Sequence, residues 1–533
     1  MTTENFEPDY AGSCFICNGH ESVSDDGKSS GITRRNVLRG AAFAPVALTG
    51  AAGITASYPT QAATRITPHG EYVVEAGWVL AYQADKLTLL RDASVLVRND
   101  RIEDVRESRI PGSLTRISIP EQLVVPGFIS GHTHACSGTP TRGIIEGGRS
   151  YARPLELVEQ LSDDELDDLT AYNVYELLRG GCTTHVEMSL SLRQAESYVR
   201  VAKRWGVRGY PGGMIPGIAR LFPVWLRKDD QALFDSVSDT LKEIEANFAF
   251  GRANNGAAEG RILPMMAPHA ADTHTPETFA AILASAKELG NGIHIHLAQS
   301  RRETAVIQKL WGVTPVQWLE QLGLLDVPLF GAHMNGIDWD KDPAILNRHG
   351  TVYAHCPSGS GAGGQTQPYP EALGAGMNVN IGIDTHSNDY LENLKLAVVY
   401  GRERYRLLKE HLKQPLRNPT IWPAIEGATL VAAKGLGRED IGRVAPGAKA
   451  DLTTIDVSGP LVGAGALPPE PLNNLLYANG LTVRNVITDG MFQVFDGELV
   501  VGNPIQVAQA GGQVVQKIWD QLSVEDWFTP TDR

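Results

Sequence analysis

No stretch of the chain reaches the roughly 18 consecutive apolar residues that a membrane-spanning helix requires, so a permanent membrane span is not expected. Cysteine is scarce, with five in 533 residues. Cys14 and Cys17 form a Cys-x-x-Cys pair with no second pair to complete a zinc knuckle. Cys136, Cys182 and Cys356 are scattered, so no disulfide framework is implied. A basic stripe is missing too, and the net charge of −14 argues against nucleic acid as a partner. What remains is an ordinary globular composition, 42% apolar and 20% charged. The chain is long enough to bury a large core and too long for one simple domain.

Thr33-Arg34-Arg35-Asn36-Val37-Leu38-Arg39 resembles the twin-arginine export motif. An Ala- and Gly-rich apolar stretch follows from Gly40 to Ala56, then small residues at Ala62 and Ala63 where a peptidase could cut. Residues 1–64 are therefore expected to be a disordered leader and signal peptide. The twin-arginine translocation machinery is the expected partner, with a periplasmic or extracellular destination. That route carries folded, cofactor-loaded proteins. The Cys14/Cys17 pair would lie before the cut and be functionally silent.

Residues 65–123 read as short strands, such as Ala93-Ser94-Val95-Leu96-Val97, separated by turns at Asn99-Asp100 and Pro111-Gly112. From Val124 strands and helices alternate. The strands are read at Val124–His134, Thr183–Met188, Val207–Tyr210 running toward Ile215, Ile262–Ala267, Gly292–Leu297, Pro328–His333, Thr351–His355 and Asn378–Asp384. Helix starts stand out between them: Ser162-Asp163-Asp164-Glu165 is a capping box, and Thr275-Pro276 and Thr314-Pro315 pair an N-cap with a proline at the first helical position. Pro264 sits inside the fourth strand, where it removes a ladder donor.

Eight β/α units in series predict an α/β fold, a closed (β/α)8 TIM-like barrel over 124–435, whose site gathers at the C-terminal ends of the strands. His134, His269, His296, His333 and Asp384 stand at such ends. His132 and His134 alternate along one strand and so share a face, which makes half of a metal site. Residues 436–502 return to short strands, expected to pair with 65–123 in a small composite β-sandwich that carries the barrel as an insert. Residues 503–533 read as a C-terminal helix, from Pro504 to about Leu522, and a tail.

The motifs, in order, resemble the amidohydrolase superfamily, in its branch of triazine hydrolases and cytosine and guanine deaminases. They are Val125-Pro126-Gly127-Phe128-Ile129 through His132-Thr133-His134 and Arg142-Gly143, then Gly181-Cys182-Thr183-Thr184, Ala267-Pro268-His269-Ala270, His294-Ile295-His296-Leu297-Ala298, Ala354-His355-Cys356-Pro357-Ser358, Gly382-Ile383-Asp384, and Ala450-Asp451-Leu452. The resemblance spans roughly Glu71 to Val501. It implies His132, His134, His296 and Asp384 as ligands of one divalent ion, zinc first and iron(II) second. It makes His333 the polarising residue, Asp384 a proton carrier as well as a ligand, and His269 and Gln299 substrate contacts. His294, His355, His185 and Glu187 are left to structural or lining roles. A small-molecule substrate is implied, and a homo-oligomer fits the branch.

Two departures matter. Two-metal members carry a carboxylated lysine on the fourth strand, and no lysine lies between Arg261 and His269. In deaminases the fifth-strand motif runs His-Leu-x-Glu, and that glutamate moves a proton to the ring. Here it reads His296-Leu297-Ala298-Gln299, and an amide cannot carry a proton. Glu303, four residues on, is not expected to replace it. The expectation is a metal-dependent hydrolase of a non-peptide carbon–nitrogen bond in an N-heterocycle, urea or amide. The alternatives are a dehalogenase or deaminase of a triazine-, purine- or pyrimidine-like ring, and a catalytically impaired binding protein.

Overall fold

The computed structural model describes residues 70–226, 236–362 and 367–529. The twin-arginine segment, its cleavage region and the Cys14/Cys17 pair lie outside the described residues. No helix among the described residues is long and apolar enough to cross a membrane.

Among the described residues, sixteen strands form two bodies of sheet. Eight of them, β1 (Glu71–Gln83), β2 (Lys86–Arg98), β3 (Arg101–Glu107), β4 (Thr115–Pro126), β13 (Leu452–Asp456), β14 (Val483–Thr488), β15 (Met491–Phe495) and β16 (Glu498–Leu499), make one sheet in the order β16-β15-β14-β13-β4-β1-β2-β3. N- and C-terminal strands meet where β13 runs antiparallel to β4. One face has its own core, from Tyr72, Val74 and Val79 on β1 to Leu452 and Ile487 on β13 and β14. Tyr72 donates its hydroxyl to the Gly490 carbonyl and packs on Phe492, so the sheet curls over that face.

The other eight, β5 (Phe128–Thr133), β6 (Cys182–Ser189), β7 (Arg208–Ile215), β8 (Ala267–Pro268), β9 (Ile293–Leu297), β10 (Leu329–His333), β11 (Val352–His355) and β12 (Asn378–Ile381), are parallel. They pair as β5-β6-β7-β8 and β9-β10-β11-β12. Parallel bridges Met266↔Ile293 and Ala270↔His296 join one seam, and Thr133↔Asp384 joins the other, closing the (β/α)8 barrel. Helices cover the outside. The capping box at Ser162 and Glu165 is formed, and Leu166, Leu169, Val174 and Leu177 of the helix Asp163–Arg179 face the core. The helix Pro504–Val524 packs on that same helix, where Lys517 pairs with Glu165.

Two strands depart from the sequence reading. The apolar run leading into His132 divides at Gly127. Val124, Val125 and Pro126 pair with β13 in the curled sheet, and the barrel strand starts at Phe128. A Cβ on Gly127 would lie 2.3 Å from the Thr183 side chain, so the position where the chain switches sheets takes glycine. The fourth strand shrinks to Ala267–Pro268 because Pro264 and Pro268 offer no N–H to the ladder. Its neighbours hold on by single bridges at Ile262, Met266 and Ala270.

The β12–β5 seam positions the site, since it unites the first and last strands of the barrel. It has little ladder, and side chains stitch it. Asn380 accepts from Gly131 N (2.6 Å) and donates to the carbonyls of Ile129 and Gly427 (both 2.9 Å). Tyr390 donates to the carbonyls of Ile129 and Ile381. A Cβ on Gly131 would collide with Asn380 Oδ1 at 2.2 Å, so glycine is required at that point. Arg142 grips Glu176 with both ends of its fork and donates to the His386 carbonyl, bracing the loop that follows Asp384.

Candidate active site

His132 on β5 and His134 just past its end point the same way, as alternation requires, with ring centroids 4.7 Å apart. The backbone N–H groups of Ile383 and Asp384 donate to the His132 carbonyl (2.8 and 3.1 Å), which sets the Asp384 carboxylate beside both rings. His296 enters from β9 and His333 from the end of β10. All five side chains are buried.

Four imidazole Nε2 atoms, those of His132, His134, His296 and His333, together with Asp384 Oδ1, are buried without a hydrogen-bond partner. Desolvating one polar atom unpaired costs roughly 1–3 kcal/mol, so five in one place call for a common partner. The ligand atoms of His132, His134 and His296 lie within 4.8 Å of one another, and so do those of His132, His333 and Asp384. Asp384 Oδ1 stands 3.5 Å from His134 Nε2 and 3.9 Å from His132 Nε2. Two ligands about 2.1 Å from one ion can be at most about 4.2 Å apart, so the Asp384 oxygen can share an ion with the nitrogens of His132 and His134.

The far sides of the rings are tied. His134 Nδ1 meets the Met188 carbonyl at 2.6 Å and His296 Nδ1 the His269 carbonyl at 2.8 Å. A carbonyl only accepts, so each Nδ1 carries the proton and each Nε2 presents a lone pair. His132 Nδ1 meets His294 Nε2 at 2.7 Å, giving the deeper strand-five histidine an orienting role. Burial lowers the pKa of every ring in the cluster, that of His134 to about 4 and that of His333 to about 3, which keeps them neutral. Burial raises the Asp384 carboxyl to about 7. An adjacent cation would pull it back down.

The backbone bends sharply at the rim. Ala298, His333, Met334 and Asp384 have φ of +45°, +77°, +48° and +67°. At His333 the Met334 N–H donates to the Ala332 carbonyl (3.1 Å), a tight and strained γ-turn that aims the ring inward. A Cβ on Gly359 would lie 2.8 Å from Asp384 Oδ2, so glycine leaves room for the carboxylate.

Of the other sequence candidates, His269 adjoins the cluster, 5.0 Å from His296 between ring centroids, and it is the His269 carbonyl that orients His296. Gln299 lies two residues beyond β9, is buried, and its side-chain amide makes no hydrogen bond to the described residues. Glu303 is held by the N–H groups of Ala271, Ala298 and Gln299, at 3.3, 3.0 and 2.7 Å, so its carboxylate caps that turn. His355 stacks on Tyr369 at 4.8 Å, His185 contacts the Tyr198 hydroxyl, and Glu187 accepts from Thr133 Oγ1, Ala135 N and Ser189 Oγ. Sequence reasoning missed Gln367, which touches His333 at 3.2 Å. It has no motif or period to mark it and lies 34 positions from the ring it meets.

Comparison with known proteins identifies the family. The Amidohydrolase family profile matches residues 123–500. The chain is 32% identical over 404 residues to a 5-methylthioadenosine/S-adenosylhomocysteine deaminase of Moorella thermoacetica, covering 72% of this chain and 85% of that one. Among solved structures it resembles an adenosine deaminase from Xanthomonas campestris with bound zinc (TM-score 0.68, 22% identity, 85% of this chain and 99% of that one). It also resembles the atrazine chlorohydrolase of Arthrobacter aurescens TC1 complexed with zinc (TM-score 0.69, 20% identity, 83% and 100%). At those identities the two structures speak for the fold. With the profile covering most of the chain and the histidines gathered at the barrel's C-terminal rim, the chain belongs to the amidohydrolase family of hydrolytic enzymes.

Proposed function

We propose that this protein is a single-zinc hydrolase that displaces an amino group from an electron-poor ring carbon of a nitrogen heterocycle. The observation that carries the reading is the convergence of buried, unpartnered Nε2 and Oδ1 atoms at the barrel rim. His132, His134, His296 and Asp384 would hold the ion. Three neutral imidazoles and one carboxylate suit zinc, with iron(II) next. The segment Arg261–His269, where a second ion's bridging lysine would stand, has none. The relative from Moorella thermoacetica is named for deamination of adenine-bearing compounds, which supports a ring amine as leaving group.

A divalent ion at this position supplies Lewis acidity, which brings the pKa of water from 15.7 to about 7. Asp384 would take the proton of the attacking water on its carboxylate and return it to the departing nitrogen. His333, through Nε2, donates to the attacking oxygen and orients it, while the charge of the adduct falls on the ring nitrogen beside the attacked carbon and returns to expel the protonated amine. Gln299 can hydrogen-bond a ring nitrogen but cannot protonate it. Glu303 does not replace the missing shuttle, because three backbone N–H groups occupy it. The ring carbon must therefore accept attack without prior protonation. That same requirement favours a second reading, displacement of a halide from a triazine-like ring.

The test is a release assay on zinc-loaded protein with 5′-substituted adenosines, amino-triazines and chloro-triazines, scoring ammonia, amine and chloride. Turnover of at least one class is expected, and Gln299→Glu should raise adenosine-type deamination. Protein with stoichiometric zinc that releases nothing from any of these rings would sink the reading. We also infer export, on the strength of Arg34-Arg35 and the apolar stretch after them. Substituting both arginines with lysine should retain the protein in the cytoplasm, as cell fractionation would show.

A further inference from the structure

We propose that Gln367 is the positioning residue that holds His333 as a hydrogen-bond donor and keeps it from acting as a metal ligand. The inference rests on the metal-site reading above. By distance alone His333 is as good a ligand as any, since its ring lies within the same 4.8 Å constellation as His132 and Asp384. What separates it from the others is the group behind its ring.

Gln367 is buried, and the orientation of its amide is fixed by its surroundings. The backbone N–H of Cys356 donates to Oε1 at 2.8 Å. A backbone N–H has no acceptor capacity, so the atom it meets must be the amide oxygen. His355 Nδ1 (2.9 Å) and the Tyr353 hydroxyl (3.4 Å) converge on the same oxygen. The other end of the amide is then the NH2 group. One of its hydrogens goes to Ser360 Oγ, and the other points to His333 Nδ1 at 3.2 Å.

The consequence for His333 is the reverse of that for its neighbours. Behind His134 and His296 stand backbone carbonyls, which accept a proton and leave a lone pair at Nε2. Behind His333 stands a donor, which occupies the lone pair of Nδ1. A neutral ring then has its proton at Nε2, the atom that faces the cluster. A nitrogen carrying hydrogen cannot ligate a cation, but it can donate to an oxygen. The cluster divides into lone pairs for an ion and one N–H for the substrate. His355 and Tyr353, with Tyr369 stacked on His355, serve to hold the amide in that orientation.

The test reads the tautomer directly. Long-range ¹H–¹⁵N correlation spectra of the full-length, zinc-loaded protein labelled at histidine nitrogens report which ring nitrogen is protonated, and a His333→Gln spectrum assigns the signal. The proposal predicts His333 protonated at Nε2, with His134 and His296 protonated at Nδ1. His333 protonated at Nδ1 would overturn it. Gln367→Glu places an acceptor where the NH2 stood. The expected result is a switch of His333 to the Nδ1–H form, with kcat about 100-fold lower and KM nearly unchanged, as for loss of the donor that orients the attacking oxygen. A variant that binds zinc and keeps the Nε2–H form, or keeps full kcat, would equally overturn the proposal. If Gln367→Glu does not fold, the wild-type spectrum decides alone. Failure of the functional reading looks different: no ring is turned over, whatever the spectrum shows.

Discussion

Two buried polar clusters occupy this molecule, and they are opposites. Where the barrel rests on the curled sheet, Arg208 reaches Asp451 (3.0 and 3.1 Å) and Asp489 (2.6 Å). Arg261 reaches Asp489 at 3.1 Å, and Lys449 bridges Asp489 and Asp100. Arg208 and Asp451 are each 1% exposed, so water cannot help, and every charge there faces one of opposite sign. At the C-terminal rim of the barrel the reverse holds. Polar atoms converge there without pairing: Nε2 of His132, His134, His296 and His333 and Oδ1 of Asp384, with none of the five partnered. In the first cluster every charge is paired once the chain has folded. The second is incomplete until something binds. Arg208, Asp451 and Asp489 are as buried as the site residues, so it is the pairing of charges, rather than depth, that separates a clamp from a site.

That contrast can be broken in several ways. The largest expected effect is on turnover. His296→Ala or Asp384→Asn should lower kcat/KM by well over the 10- to 100-fold typical of outer-shell changes, with loss of bound metal, as steady-state assay and metal analysis would show. Arg208→Ala should act on the other axis. It strands Asp451 and Asp489 as buried carboxylates and should cost roughly 3–5 kcal/mol in denaturant unfolding, while the metal content of the folded fraction stays the same. Third comes metal removal. Free zinc at about a thousand times its Kd should stabilise the wild type by about 4 kcal/mol. His296→Ala should lose most of that gain, yet unfold no more easily than metal-free wild type, because one unpaired buried nitrogen is gone. Smallest is Gly359→Ala. Its new Cβ would press on Asp384 Oδ2 at 2.8 Å, and overpacking of this kind costs about 1–3 kcal/mol. We expect reduced turnover with only a modest fall in melting temperature.

Much of the barrel is legible in the sequence because its signals are local. The capping box at Ser162, the Thr-Pro starts at Thr275 and Thr314, and the apolar runs ending in histidine depend on near neighbours alone. Alternation places His132 and His134 on one face for the same reason. The sheet switch at Gly127 is not legible, since the run from Val124 onward is equally apolar on both sides of it. Nor is the length of the fourth strand, which depends on which of its N–H groups a neighbour can use. The contacts that tune the site are long-range: Gln367 on His333, the Met188 carbonyl on His134, Asn380 across the seam to Gly131. The Arg208 clamp joins residues more than 240 positions apart. Such contacts follow from the closed fold and leave no spacing in the chain to read.

The most direct test is to count and place the metal. Protein purified without chelator, analysed by inductively coupled plasma mass spectrometry and by metal-edge X-ray absorption, should hold one zinc per chain with three imidazole nitrogens and one carboxylate oxygen among its ligands. It should hold none when His296 is alanine and one still when Arg208 is replaced. Wild-type protein that purifies metal-free and takes up no divalent ion, or that binds two, would contradict the account.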